Sequence, residues 1–180
     1  MSNPQWVKIT FVNERDEVIG SGYKEEAWAK GIFHRIVGIF ILNSGGELLI
    51  HKRSPKLLTS PGLWDKSAGG HVDEGEDYLT AAKRETKEEI GIGVELQEIT
   101  KFLLKEVYKD GKRMNRFHML YKGEYDGEIF MDKREVLEIR WISLPDLEKW
   151  MKEKPEDFVY SFLVQYKHFK GSDQLSQSGV

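Results

Sequence analysis

One stretch of fixed spacing limits what this chain can fold into: residues 70–92, GHVDEGEDYLTAAKRETKEEIGI. Seven of its residues stand at set intervals, namely Gly70, Glu76, Arg84, Glu85, Glu88, Glu89 and Gly91. At residue frequencies of about 5 to 7 per cent, such a coincidence is expected in about one window in a hundred million. The spacing therefore carries structural or chemical meaning.

Residues 77–90 predict an amphipathic helix. Asp77 suits the N-cap position, because its carboxylate can accept hydrogen bonds from free backbone N–H groups in the first turn. One apolar stripe recurs at helical spacing and consists of Leu79, Ala82, Thr86 and Ile90. Gly91 follows at the position where a helix commonly ends in a residue of left-handed conformation. We therefore expect this helix to pack one face against a core.

Three glutamates project from one flank of the predicted helix. At about 100° per residue, Glu85 and Glu89 stand beside the apolar stripe, and Glu88 lies further round on the same side. A solvated face of ion pairs is the simpler interpretation, but Glu85 with Glu89 and Lys83 with Lys87 are like-charge pairs four residues apart. Converging carboxylates can hold a hard divalent cation such as Mg²⁺, with Mn²⁺ as the alternative. The flank therefore predicts a metal site.

Composition limits the domain count, the binding partners and the cysteine chemistry that can be expected of the chain. The 180 residues are 39% hydrophobic and 32% charged, so we expect a single domain over residues 1–170 and a disordered polar tail at 171–180. A formal net charge of -3 offers no broad basic field for duplex nucleic acid or a membrane surface. The chain has no cysteine, which excludes disulfides, thiolate metal sites and a cysteine nucleophile. Without a leader pattern or an apolar run of about eighteen residues, a cytoplasmic location is expected.

The rest of the chain reads as strands separated by turns. The strands are expected at 6–12, 17–20, 33–43, 47–53, 94–109, 114–125 and 138–144. The first two form an N-terminal β-hairpin, the next two pair as core strands, and Asp110-Gly111 turns the fifth into the sixth. Two C-terminal helices follow at 145–152 and 155–170. This order predicts an α/β (α+β) fold with a mixed central sheet sandwiched between helices.

The stretch at 70–92 resembles the Nudix box, G-x5-E-x7-R-E-U-x-E-E-x-G-U, in which U is a bulky aliphatic residue. Ile92 fills the last U position, whereas Thr86 departs from the first by carrying a hydroxyl. The resemblance to the Nudix hydrolase family can be traced from about Asn13 to Leu147. It implies the Nudix α/β/α sandwich, in agreement with the order of the elements.

The resemblance also implies roles for individual residues. The implied metal ligands are Glu85, Glu88 and Glu89, with the Gly70 carbonyl as a further ligand. Arg84 is implied to orient these glutamates, and Glu76 to tie the loop to the helix. The general base varies within the family, so the expected catalytic residues are Arg84, Glu85 and Glu88 together with two later carboxylates, Glu135 and Glu138.

Two basic residues stand beside the loop at 54–62 that precedes the box. Arg53 and Lys56 either serve solubility alone or reach the phosphates of a substrate. A loop of this length beside the helix is expected to form the mouth of a pocket. Both residues are therefore candidate substrate-binding residues.

Four further segments narrow the resemblance: VNERDEVIG (12–20), FHR (33–35), PGLWD (61–65) and SAGGHVDEGE (67–76). They resemble the branch of the Nudix superfamily that contains isopentenyl-diphosphate isomerase and its hydrolase-like relatives. That isomerase has a catalytic cysteine two residues before the histidine that matches His71, where this chain has Gly69. It also has a metal-binding histidine at the position of Ala27. Isomerase chemistry is therefore not expected.

The resemblance implies Mg²⁺-dependent hydrolysis of a phosphoanhydride bond, in a nucleoside diphosphate linked to a further group X or in a related organic diphosphate. The alternative is a diphosphate-binding or regulatory module without efficient turnover, and isopentenyl-diphosphate isomerase is favoured less than either. A complete set of box carboxylates favours the hydrolase. The expected partner is a small-molecule diphosphate, with no duplex nucleic acid and no membrane, and the chain is expected to be a monomer or a homodimer.

Overall fold

A computed structural model of the chain describes residues 7–108 and 110–177. Its strands are Ile9–Val12 (β1), Val18–Gly22 (β2), Phe33–Leu42 (β3), Glu47–Arg53 (β4), Trp64–Asp65 (β5), Ala68–His71 (β6), Gln97–Val107 (β7), Arg113–Glu124 (β8) and Val136–Ser143 (β9). Its α-helices are Lys24–Lys30 (α1), Tyr78–Ile90 (α2), Leu144–Glu153 (α3) and Tyr160–Gln177 (α4). Residues 6 and 109, at the ends of two predicted strands, lie outside the described residues.

These strands join one mixed sheet with β3 at its centre. Strand β8 runs parallel to β3 along one side, and β6 runs antiparallel to it along the other. Strand β4 carries β9 and β5, both antiparallel. The N-terminal hairpin β1–β2 and the hairpin β7–β8 form as the sequence predicts. The prediction of a mixed central sheet is confirmed.

Strands β3 and β4 pair only beside their turn. Their register is Leu42↔Leu48, and beyond it the two strands separate. The segment 64–71 fills the gap, because β5 pairs with β4 and β6 pairs with β3. The expectation of two paired core strands therefore holds only at the turn. The gap, called the β3/β4 split below, is where the chain passes from β5 to β6.

Helices cover both faces of the sheet, as the α/β/α prediction requires. Helix α2 packs on one face over a core that includes Val37, Ile39, Ala82, Ile90 and Tyr121. Helices α3 and α4 pack on the other face over a core that includes Phe40, Leu48, Leu147, Phe162 and Phe169. Successive residues of a strand point to opposite faces, so β3 supplies side chains to both cores. Burial of these apolar side chains is the main stabilising contribution to the sandwich.

The C-terminal region departs from the sequence prediction at both ends of its last helix. Residues Pro155–Asp157 form a 3₁₀ turn, and Val159 N then donates to Trp64 O at 2.9 Å, so α4 begins only at Tyr160. The helix continues to Gln177, which places residues 171–177 of the expected disordered tail in a helix. Residues 178–180 lie outside the described residues. Among the helices of the described part of the chain, none is long and apolar enough to cross a bilayer.

Candidate active site

Helix α2 is fixed at both ends by the residues that predicted it. The Asp77 carboxylate accepts a hydrogen bond from Thr80 N at 2.7 Å. Gly91 adopts the left-handed conformation, with φ 72°, and donates its N–H to Lys87 O at 3.1 Å. A Cβ on Gly91 would also lie 2.6 Å from Phe130 O. A larger residue at Gly91 would therefore strain both the helix end and the segment around Phe130.

The buried face of α2 differs at one position from the predicted stripe. Ala82, Thr86 and Ile90 are buried as predicted, whereas Leu79 is 37% exposed and Ala81 is buried instead. The Thr86 hydroxyl donates to the backbone carbonyl four residues earlier at 2.7 Å, so its departure from the Nudix pattern leaves no unsatisfied polar group. This face holds α2 against β3 and β6, which fixes its glutamates relative to the sheet.

Arg84 links the loop before α2 to the glutamates on the helix. Its Nε and Nη2 donate to the two carboxylate oxygens of Glu76, each at 2.9 Å. Its Nη1 donates to Glu85 Oε1 at 2.8 Å and to Glu88 Oε2 at 3.1 Å, and Nη2 also donates to His71 O at 3.0 Å. A planar guanidinium can make these bonds together because its N–H groups are fixed in a fork. The contacts support the orienting role expected of Arg84 and the structural role expected of Glu76.

Glu85 lies directly against Gly70. A Cβ on Gly70 would overlap the Glu85 carboxylate, so the position requires glycine. The Glu85 side chain is only 13% exposed. Burial raises the pKa of Glu85 to about 7; the Arg84 guanidinium opposes this rise, while the charges of Glu88 and Glu135 add to it. Glu85 is therefore an acidic group held in an environment that disfavours its ionised form.

Glu89 is also buried, and its Oε2 accepts a hydrogen bond from Gly69 N at 3.0 Å. Burial raises the pKa of Glu89 well above its usual value, and the charges of Glu85 and Glu135 raise it further. Glu85, Glu89 and Glu135 therefore form one acidic cluster. Glu135 belongs to it although it comes from the loop before β9, as expected of a later carboxylate.

Two predicted glutamates lie less centrally. The Glu88 side chain is 61% exposed, and it reaches the acidic cluster through Arg84. Glu138 lies elsewhere, in a groove of about 310 Å³ that is also lined by Trp64 and Trp150. There it accepts a hydrogen bond from Arg140 Nη2 at 3.1 Å. The structure therefore brings Glu135 to the site and does not bring Glu138 there.

The two predicted substrate-binding residues occupy different environments. Arg53 is half-buried and donates from Nη2 to Thr59 O at 3.0 Å, and from Nη1 to Asp65 Oδ2 at 3.4 Å. These contacts close the loop at 54–62 on itself. Lys56 is exposed on the same loop. Arg53 is therefore positioned by the protein, whereas Lys56 faces solvent.

Lys66, which the sequence analysis did not single out, lies buried in the β3/β4 split. Its Nζ is 3.1 Å from Asp65 Oδ1. A Cβ on Gly69 would overlap Lys66 Cε and would lie 2.5 Å from Val37 O. Burial raises the pKa of Asp65, but the charges of Lys66 and Arg53 outweigh it and lower that pKa to about 2. The one signal in the sequence was a lysine between two short segments of small and apolar residues.

The donors of this site suit a hard divalent cation. The Glu85 and Glu89 carboxylates and the Gly70 carbonyl offer oxygen ligands, which Mg²⁺ prefers. Gly70 leaves room for the Glu85 carboxylate immediately beside its own backbone. In the described part of the chain, however, no three His, Asp or Glu side chains are already grouped as a metal site. Instead, Glu85 and Glu88 both accept hydrogen bonds from Arg84 Nη1. The carboxylates are thus the ligand type that Mg²⁺ prefers, but two of them are bonded to Arg84 in this structure.

Comparisons with known proteins agree with this fold. The NUDIX domain profile matches residues 32–162. The isopentenyl-diphosphate Delta-isomerase of Serratia proteamaculans is 32% identical, over 94% of this chain and 94% of that protein. A protein named as an uncharacterized Nudix hydrolase of Streptomyces coelicolor is also 32% identical, over 90% of this chain and 87% of that protein.

Among solved structures, a Deinococcus radiodurans protein has a TM-score of 0.67 and 25% identity, over 81% of this chain and 89% of that chain. The resemblance seen in the sequence, to hydrolases and to isomerase-like relatives together, is thus confirmed. The profile spans the strands and the helix that build the site. The chain therefore belongs to the Nudix hydrolase family.

Proposed function

We propose that this enzyme is a Mg²⁺-dependent hydrolase, with Mn²⁺ as a possible substitute. Its substrate is a nucleoside diphosphate linked to a further group X, or a related organic diphosphate, and it cleaves a phosphoanhydride bond. The observation that carries the proposal is the pair of largely buried carboxylates of Glu85 and Glu89 at Gly69 and Gly70, with the charge of Glu135 acting on both. Buried like charges are unfavourable without a counter-ion, and a divalent cation supplies the missing charge.

Glu85, Glu88 and Glu89 would hold the cation, with the Gly70 carbonyl as a further donor. When bound, such an ion neutralises diphosphate oxygens and lowers the pKa of a water molecule. Arg84 holds Glu85 and Glu88 at a fixed distance from the loop, because the same guanidinium is bound to Glu76. The chain thus supplies oriented carboxylates on a rigid helix.

Two carboxylates remain candidates for the general base, Glu85 and Glu135. Glu135 sits on a fixed turn: its N–H donates to Asp132 O at 3.0 Å, and its carbonyl accepts from Ser54 N at 2.7 Å. Its charge acts on both Glu85 and Glu89, and its turn is held against helix α2 because Asp132 N donates to Glu89 O at 2.9 Å. Glu138 is disfavoured because it faces the groove beside Trp64.

Isomerisation is less favoured than hydrolysis, although several relatives are named isopentenyl-diphosphate isomerases. Gly69 occupies the position at which the isomerase carries its catalytic cysteine. A side chain there would overlap Lys66 Cε and approach Val37 O to 2.5 Å. The chain thus lacks both the thiol and the space that the thiol needs.

A substrate panel tests the proposal against both alternatives. The purified chain with Mg²⁺ is incubated with nucleotides, nucleotide sugars, dinucleotides and isoprenoid diphosphates, and the products are separated by anion-exchange chromatography. We expect monophosphate products from at least one compound. Binding without turnover across the whole panel would favour the diphosphate-binding module. Conversion of isopentenyl diphosphate to dimethylallyl diphosphate would overturn the argument from Gly69.

A further inference from the structure

Four polar side chains, of which His34 and His118 are fully buried and His71 and Arg116 partly buried, lie together on the sheet face opposite α2. His34 on β3 is registered with Arg116 on β8. Ile36, two residues further along β3, is registered with His71 on β6 and with His118 on β8. Registered residues of paired strands share a face, and so do residues two apart on one strand. We call His34, His71, His118 and Arg116 the His–Arg cluster.

Helix α4 identifies the face on which the His–Arg cluster lies. Gln165 of α4 packs against Gly38, because a Cβ on Gly38 would overlap the Gln165 side-chain oxygen. Gly38 follows His34 by four residues on β3, so the two residues face the same side of the sheet. The Gln165 amide nitrogen is also 3.1 Å from His118 Nδ1. The cluster is therefore separated from α2 and its glutamates by the sheet itself.

The His–Arg cluster carries hydrogen-bonding atoms that have no partner within the described part of the chain. They are Nε2 of each of the three histidines and Nε of Arg116, and all four atoms are buried. The opposite ring nitrogens of two histidines are engaged, because His34 Nδ1 is 2.9 Å from Ile32 O and His118 Nδ1 faces Gln165. Buried polar atoms without partners are rare in folded proteins. Four of them in one place indicate a site for a polar ligand.

The surroundings of the His–Arg cluster favour an anion over a cation. Burial lowers the pKa of His34 to about 4, and the Arg116 charge lowers it further, although the bond to the Ile32 carbonyl opposes this. Burial also lowers the pKa of His118 well below its usual value, and the charges of Arg116 and Lys66 add to this effect. His34 and His118 are thus neutral near pH 7. Arg116 Nη2 is paired with Glu106 and Lys66 Nζ with Asp65, so the charge of each cation is offset by a carboxylate, and Arg116 Nε–H remains as a donor for an anion. A metal ion could not bind at this nitrogen, because a guanidinium N–H donates a hydrogen bond and offers no acceptor.

The His–Arg cluster opens towards the acidic cluster along strand β6. Ala68 is buried, but Gly69, Gly70 and His71 are partly exposed. Lys66 and Glu89 both lie against Gly69, because a Cβ on Gly69 would overlap Lys66 Cε and Gly69 N donates to Glu89 Oε2 at 3.0 Å. The Lys66 charge also lowers the pKa of both Glu89 and His118. A ligand bound to both clusters would therefore lie beside Gly69 and Gly70.

We propose that the His–Arg cluster, together with Lys66, binds a phosphate group of the substrate that is not held by the glutamates of α2. This inference rests on the proposed hydrolase function and narrows its substrate: group X carries a phosphate rather than an uncharged hydrocarbon. Phosphate oxygens accept hydrogen bonds from Arg116 Nε and Lys66 Nζ. A monoprotonated phosphate also has an O–H to donate to His34 Nε2, which accepts because His34 Nδ1 donates to the Ile32 carbonyl.

Titration calorimetry with inorganic phosphate tests the subsite without any turnover. The protein is kept metal-free with EDTA at fixed ionic strength. We expect one saturable site in the wild type and affinity at least about tenfold weaker in Arg116→Gln, as for loss of a charge-assisted hydrogen bond. Arg140→Gln is the matched control, since Arg140 packs over Trp64 at 4.7 Å and should leave binding unchanged. Equal affinity in wild type and Arg116→Gln would overturn the proposal.

If Arg116→Gln does not fold, NMR of the imidazole nitrogens in the wild type tests whether the His–Arg cluster binds phosphate. Phosphate should shift the ring signals of His34 and His118 and leave those of His51, which is buried with Nδ1 3.2 Å from Ser67 O, unchanged. Shifts at His51 alone, or no saturable shift, would overturn the proposal. Glu85→Gln should lose hydrolysis and still bind phosphate, so the subsite and the hydrolase function can fail separately.

Steady-state kinetics distinguishes a substrate phosphate from free phosphate. With a phosphate-bearing substrate from the panel, Arg116→Gln should raise KM by about tenfold, and free phosphate should compete with that substrate. With a substrate that lacks the extra phosphate, KM should not change. Weaker phosphate binding with no change in any KM would assign the cluster to free phosphate and overturn the substrate assignment.

Discussion

The two sides of strand β6 differ in charge and in the kind of ligand that each side favours. On the α2 side, Gly70 leaves room for Glu85, and Arg84 offsets only part of the repulsion within the acidic cluster. On the α4 side, Gly69 leaves room for Lys66. Glu106 pairs with Arg116 Nη2 there, but Arg116 Nε and the histidine Nε2 atoms have no partner in the described part of the chain. Because adjacent strand residues face opposite ways, two successive glycines can serve opposite faces. The pair Gly69-Gly70 thus marks the boundary between two complementary sites.

A metal–diphosphate complex would satisfy both sides at once. The acidic side favours a bound cation, and the basic side favours a bound anion. The contrast between the two faces therefore adds to what the Nudix box alone indicates about the ligand.

Removing a charge from the acidic side should have the largest effect. We expect Glu89→Gln to lower kcat/KM on the best substrate by about 10²- to 10³-fold, as for loss of a strong electrostatic contact in an active site. The amide has the shape of the carboxylate, so the fold should persist. Initial rates at several Mg²⁺ concentrations measure the effect.

Glu124→Gln is the matched control for Glu89→Gln, because Glu124 is an exposed glutamate at the end of β8 and should keep wild-type rates. Metal-free Glu89→Gln should also unfold at a higher temperature than the wild type, since one buried carboxylate has been neutralised. Wild-type turnover by Glu89→Gln would show that Glu89 does not hold the metal.

The second prediction separates the two later carboxylates. We expect Glu135→Gln to lower kcat by about 10²-fold, in the range of general-base loss, because its charge acts on Glu85 and Glu89. Glu138→Gln should change kcat by less than about twofold, because surface substitutions away from a site have small effects. Rates of both variants measured across pH 6 to 9 test these expectations. A large loss of kcat in Glu138→Gln alone would identify Glu138, in the groove beside Trp64, as the general base.

Sequence reasoning placed α2 and its caps correctly because these depend on contacts within a few residues. It could not separate Glu135 from Glu138, since the register of β9 slips by one residue: Lys52 pairs with Glu138 but Arg53 pairs with Val136. Such a bulge changes which face each residue occupies. The faces of β9 therefore follow from tertiary pairing and not from spacing.

The β3/β4 split and the His–Arg cluster were hidden for the same reason. Two consecutive strands joined by a tight turn normally pair along their length, but here segment 64–71 separates them. His34, His71 and His118 are far apart in the chain and meet only through the registers of β3 with β6 and β8. The catalytic helix was therefore predictable from local spacing, whereas the opposite face was not.

The third prediction compares the two glycines at the boundary. Gly69→Ala should destabilise the fold by about 1 to 3 kcal/mol, as for overpacking, because its methyl meets the Val37 backbone as well as Lys66. For Gly70→Ala the three atoms nearest the new methyl all belong to the movable Glu85 carboxylate, so this variant should lose activity while losing less stability than Gly69→Ala.

Urea denaturation and initial rates for Gly69→Ala and Gly70→Ala measure both quantities. Gly93→Ala is the control, because a Cβ at Gly93 has no neighbour within 4 Å and its φ is not positive. If Gly70→Ala kept full activity, Glu85 would not need its position against the β6 backbone, and the assignment of the two faces would fail.

The smallest effect is a difference in the pH dependence of stability between the two sides. The pKa of Glu85 is raised to about 7 in the folded state, so its protonated form stabilises the fold, and that stability is lost as pH rises towards and through 7. The pKa of His34 is lowered to about 4, so protonation disfavours the fold, and stability rises with pH through about 6.5, where the unfolded histidine loses its proton.

Unfolded histidines are still half protonated at pH 6.5, so His34 and the other buried histidines continue to add stability up to about pH 7.5. The difference between wild type and Glu85→Gln therefore isolates the acidic side. Between pH 6.5 and 8 in EDTA, Glu85 should lower the free energy of unfolding by about 1 kcal/mol, and Glu89 should act in the same direction. Urea denaturation at each pH measures this slope, which should flatten in Glu85→Gln and when Mg²⁺ is added. The same slope in metal-free wild type and in Glu85→Gln would mean that the acidic cluster is already neutralised, and the contrast between the two faces of β6 would then lose its electrostatic basis.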